Sequence, residues 1–140
     1  MKPVNIILTG LYDHFIRMSK RRRKIVPWFE TCSALAFAVT ISFTLMLKIV
    51  FNKSLDFKKI PEYYFLLLFL SFGIGVFVLS KSYYFRNDKH IKLMDLYLEK
   101  YSEADRKKIR YFVTIGLSIF PFFLMFIMWL QAFTNFWQGF

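Results

Sequence analysis

The segment Tyr111–Leu130 carries no charged side chain, and that fact excludes most folds open to a chain of this size. About twenty apolar residues coiled as a helix, at roughly 1.5 Å rise each, match the thickness of a bilayer core. No water is available there to pair a free N–H or C=O, so a single segment must satisfy its backbone internally, as a helix. Two earlier apolar runs, residues 27–50 and 61–84, have comparable length and the same consequence. The chain is therefore expected to be all-α: one polytopic membrane domain, residues 1–140, with three transmembrane helices.

Composition agrees. Hydrophobic residues make up 56% of the chain, yet 21% are charged and the net charge is +11. A soluble domain is usually below half apolar. Here charge and apolarity also fall into separate blocks rather than interleaving at helical or strand spacing, as in a small membrane protein.

The ends of the runs carry matching signals. Pro27 suits a first helical turn, where its missing N–H costs nothing. Trp28, Tyr63, Tyr64, Tyr83, Tyr84, Trp129 and Trp137 suit the headgroup belts, and Lys48 and Lys81 can extend towards water. Glu30, one turn inside the first span, is expected to pair with Arg23 or Lys24 at the interface. Pro121 removes a backbone hydrogen bond from the middle of the third span and should loosen that helix.

Outside the spans, residues 3–22 read as an amphipathic interfacial helix. Val4, Ile7, Leu8, Leu11, Phe15 and Met18 recur at helical spacing, with Asn5, Thr9, Asp13, Arg17 and Lys20 on the remaining sides. Its apolar face is expected to turn to lipid or to the bundle. The cluster Lys20, Arg21, Arg22, Arg23 and Lys24 then meets anionic headgroups, at about 1 kcal/mol per cation. A second helix is expected at 89–101. A third, at 103–136, contains the last span at about 111–131 and opens on Ser102, with Asp105 at the reciprocal capping position. The connection Asn52–Lys59 and the tail Gln131–Phe140 are too short to be domains.

Orientation follows from counting cations. Sixteen Lys and Arg flank one side: Lys2, Arg17, the cluster 20–24, Lys81, Arg86, Lys89, Lys92, Lys100, Arg106, Lys107, Lys108 and Arg110. Lys48, Lys53, Lys58 and Lys59 are the four on the other. The positive-inside rule places the N-terminus in the cytoplasm and the C-terminus outside, with a bacterial inner membrane as the expected location.

Catalytic chemistry is not expected. His14 and His90 stand apart, Asp13-His14 lacks a third metal ligand, and Cys32 alone forms neither an internal disulfide nor a thiolate metal site. Phosphate loops and nucleophile motifs are absent, so the chain is read as no enzyme, with no cofactor and no metal. The basic excess beside spans is a topology signal, and nucleic acid is not an expected partner.

Helix packing is expected through small and polar residues: Ser33, Ala36, Thr40 and Thr44 in the first span, Ser71 and Gly75 in the second, Thr114, Ser118 and Pro121 in the third. In the helix at 89–101, Ile91, Leu93, Met94, Tyr97, Leu98 and Tyr101 form an apolar set wider than a solvated helix needs. That set must bury itself on lipid, on the N-terminal helix or on a partner. These features point to an accessory or regulatory membrane subunit acting through protein contacts at its cytoplasmic face. The other expectation is a self-assembling, pore-forming or membrane-disrupting effector.

Overall fold

The computed structural model describes residues 1–22, 24–51 and 61–138, with side chains through Thr134. Arg23, the connection Asn52–Lys59 with its three lysines, and the Trp137 side chain lie outside the described residues. Among the described residues five α-helices follow in order: α1 Pro3–Arg21, α2 Pro27–Phe51, α3 Glu62–Ser80, α4 Lys89–Lys100 and α5 Glu103–Gln138. Three helical stretches among them are long and apolar enough to cross a membrane: α2, the stretch that begins with α3, and α5. The helix ends lie within a few residues of the limits read from the sequence, and one of them is informative.

This is the end of the second apolar stretch. α3 stops at Ser80, and Lys81–Phe85 continue as a wider π turn. The chain then reverses through Asn87 (φ 55°) and Asp88 (φ 53°). Both residue types tolerate left-handed backbone because their short polar side chains bond locally. The reversal redirects the chain into α4.

α2 is the middle helix. Both α3 and α5 pack on it, and α3 and α5 share no extensive interface among the described residues. Thr40 is buried on α2 and faces Gly73 of α3, where an added Cβ would stand 3.4 Å from its hydroxyl oxygen. Phe43 stacks on Phe72 at 4.5 Å between centroids. At the other end of the same pair, the Lys81 ammonium lies over the Trp28 ring at 4.9 Å. The outer faces of α3 and α5 stay apolar and uncovered, with Leu66, Leu79, Phe112 and Phe122 all exposed. Faces so extensive are stable only against lipid or another apolar surface.

α5 is one helix through Pro121. Its start forms as its sequence suggests: the Asp105 N–H donates to Ser102 Oγ at 3.2 Å, and that hydroxyl donates to Asp105 Oδ2 at 2.7 Å. The first two turns, Glu103–Arg110, precede the apolar run. There α1 lies against both α5 and α2, and α4 packs on α1. The basic segments are thereby gathered into one layer at one end of the three long helices.

Candidate functional site

α1 turns its polar stripe inwards. Asn5, Thr9, Asp13 and Arg17 are spaced by four residues, so they line one helical face over about 18 Å. Asn5, Thr9 and Asp13 are buried together with Leu8 and Leu11, whereas Val4 and Ile7 remain exposed. The apolar residues are thus divided: some join the core and some point outwards.

Each stripe residue meets a partner distant in sequence. Tyr83 donates its hydroxyl proton to Asn5 Oδ1 at 3.0 Å, and Tyr84 donates to Thr9 Oγ1 at 2.9 Å. Arg110 Nη1 donates to Asp13 Oδ2, and Arg17 Nε stands 3.5 Å from Asp13 Oδ1. Arg17 Nη2 in turn donates to Glu103 Oε1 at 2.7 Å, and Arg106 Nη2 to Glu103 Oε2 at 3.0 Å. The Asp13 and Arg110 side chains are only 9% and 11% exposed, so this pair is desolvated and each charge depends on the other. The outer Glu103 links lie in water and are worth much less. The hydrogen bond from Arg17 and its charge hold the Glu103 carboxyl below its ordinary range.

Tyr84, expected to mark a headgroup belt, is instead fully buried with Leu8 and Leu93. Tyr12 and Phe85 meet its ring edge to face, with centroids 6.0 and 4.8 Å away, and His90 lies tilted against it at 6.4 Å. The π turn is what presents two successive tyrosines to α1. Periodicity cannot reveal that, although the four-residue spacing of Asn5, Thr9, Asp13 and Arg17 was the legible half of the signal.

Gly10 permits the close approach. A Cβ there would fall 3.0 Å from Ile109 Cγ2 and 3.6 Å from Val113 Cγ2 of α5. Tyr97 of α4 closes the same spot. It is fully buried, and its hydroxyl has no hydrogen-bond partner among the described residues. Burial pushes that phenol up to about 12.

The apolar set of α4 divides similarly. Leu93 and Tyr97 are buried, Met94 and Tyr101 half-buried, and Ile91 and Leu98 exposed, along with Leu96 on the other flank. Met94 and Leu98 face a groove of about 640 Å³ between α1, α4 and the start of α5. Arg17, Lys20, Arg21 and Arg106 line its cationic side, Asp13 and Glu103 contribute the acids, and Ile16 completes the apolar part. Arg22 and Lys24 are exposed beyond it.

The small-residue stripes fare unevenly. Thr40 reaches the α2–α3 contact, Thr44 donates to the Thr40 carbonyl at 2.9 Å, and Ser33 lines the α2–α3 groove. Ser71 is exposed and Gly75 has no atom within 4 Å of an added Cβ, so Gly73 takes the role expected of that pair. A two-residue difference along a helix rotates the small residue by about 200°, which decides which one meets α2. Thr114, Ser118 and Pro121 border an apolar cleft of about 520 Å³ shared with α1 and α2, and His14 stands on its rim. Burial, then the Arg110 charge, lower the His14 pKa, against an opposing effect of Asp13. Glu30 makes no ion pair with a described residue, and Arg23, one of its two expected partners, lies outside them.

Among the described residues no three His, Cys, Asp or Glu side chains gather in a metal-binding group. Comparison with protein families, curated proteins and solved structures finds no match to this chain.

Proposed function

We propose that this protein is a small membrane-embedded accessory or regulatory subunit, and that the layer of α1, α4 and the first turns of α5 is its working surface. One observation carries the reading. The layer is tied internally by the Asp13–Arg110 pair and the Tyr84–Thr9 hydrogen bond, yet it leaves Ile91, Leu96 and Leu98 uncovered among cations. A rigid surface with apolar anchors and a charged rim has the makeup of a protein docking site. Substituting Leu98→Glu places a charge on the exposed flank without touching the buried ties. Membrane insertion should persist while partner co-purification is lost; undiminished partner recovery refutes the assignment.

In this reading the layer faces the cytoplasm, because the cation count favours that side. A reporter active only in the cytosol and fused after Phe140 should stay silent, and activity there reverses the topology.

A second reading is a self-assembling effector that disrupts membranes. It is supported by Ser71 on α3, a small exposed residue away from the α2 contact where a second copy could approach closely. Expression in bacteria carrying a membrane-potential dye separates the two. Depolarisation favours the effector, and an unchanged potential favours the subunit.

A further inference from the structure

The Glu103 carboxylate is held by guanidinium groups from two helices, Arg17 Nη2 at 2.7 Å and Arg106 Nη2 at 3.0 Å, yet its side chain is 65% exposed. An anion gripped from one side and open to solvent on the other marks a place where an outside anion can compete. Unused donors remain around it. Arg106 Nε is enclosed and has no hydrogen-bond partner among the described residues. Lys20 and Arg21 line the same groove and form no ion pair with a described residue. A planar guanidinium fork matches the oxygens of a phosphate, and paired forks from two helices fix its position.

Depth and lining indicate the source of that phosphate. Arg106 precedes Tyr111 by five residues, or about 7.5 Å along α5, which is headgroup depth beside the apolar span. Met94, Leu98 and Ile16 make the neighbouring wall apolar. A free phosphate would gain nothing from that wall, whereas the glycerol and first methylenes of a lipid would lie against it.

We propose that this groove is a binding site for the headgroup of an anionic phospholipid, whose phosphate takes the place of the Glu103 carboxylate between Arg17 and Arg106. The site differs from a diffuse basic surface because a resident acid competes for it. The site shares Leu98 with the docking surface, but it requires no protein partner.

The test uses the full chain purified in neutral detergent, titrated with phosphatidylglycerol and followed by native mass spectrometry. Phosphatidylcholine and inorganic phosphate serve as separate arms. Phosphatidylglycerol should bind, and neither of the others should at matched concentration. Removing the resident acid with Glu103→Gln should tighten phosphatidylglycerol binding by roughly three- to tenfold, and Arg106→Gln should weaken it by roughly tenfold, as for one charge-assisted hydrogen bond. Lys108→Gln removes an exposed cation of the same helix outside the groove, and it should change binding by less than about twofold. Equal losses in Arg106→Gln and Lys108→Gln mean diffuse attraction and overturn the site. Inorganic phosphate binding as well as the lipid overturns the lipid assignment. If Arg106→Gln does not fold, Glu103→Gln decides alone: tighter binding upholds the proposal, and unchanged or weaker binding refutes it.

Discussion

Replacing Asp13 with Ala should release α1 from the bundle. Asp13 and Arg110 are 9% and 11% exposed, and the pair joins the middle of α1 to the last turn of α5 before its apolar run. Removing the acid leaves a guanidinium enclosed without its counter-charge. Breaking a buried pair from one side costs about 3–5 kcal/mol. At about 1.36 kcal/mol per decade, the equilibrium constant for α1 opening should rise by roughly two to three and a half orders of magnitude. Amide hydrogen exchange across Asn5–Arg17 in nanodiscs reads that constant directly, because the intact helix exchanges only when it opens. Replacing both partners, Asp13→Leu with Arg110→Met, should recover most of the loss, since neither charge is then stranded. An acceleration below tenfold in Asp13→Ala, or no recovery in the double variant, would refute the claim that this pair seats α1.

Three further outcomes follow from the same layer. Tyr84→Phe strips the fully buried Thr9 hydroxyl of its donor; it should cost about 1–3 kcal/mol of thermal stability, and adding Thr9→Val should restore part of it. Gly10→Val places methyl groups where Ile109 already leaves only 3.0 Å; a cysteine pair engineered across α1 and α5 should lose its crosslinking yield, while Gly75→Val, in open surroundings, should not affect it. His14 has a pKa held below 6.5 by burial and by Arg110. As pH falls the unfolded chain therefore takes up that proton first, so stability is full above about pH 6.5 and declines below it. His14→Gln should flatten α1 hydrogen exchange between pH 7 and 5, and an unchanged slope would assign the effect to another group.

The architecture was largely legible before any coordinate. Long uncharged runs dictate helices because lipid offers the backbone no partner, and the capping residues Ser102 and Asp105 announced the start of α5. The candidate site was legible only in pieces. Tyr83 and Tyr84 resembled ordinary belt residues, Asp13 resembled half of an isolated Asp-His pair, and Arg110 resembled one more cation before a span. Each residue's role depends on a partner at least 75 residues away, and no local period encodes such a pairing.

The interfacial helix shows where the division falls. Helical spacing established that residues 3–22 would be amphipathic, because hydrophobic period is a local property of the chain. Which face would be buried is a different question. An isolated amphipathic helix at a membrane keeps its polar side in water, and α1 would do so alone. The tertiary structure reverses that for Asn5, Thr9 and Asp13 by supplying, from the π turn and α5, hydroxyl donors and a guanidinium that bond the oxygens of all three. A polar stripe can be buried only where such partners converge, and convergence is decided by how helices pack.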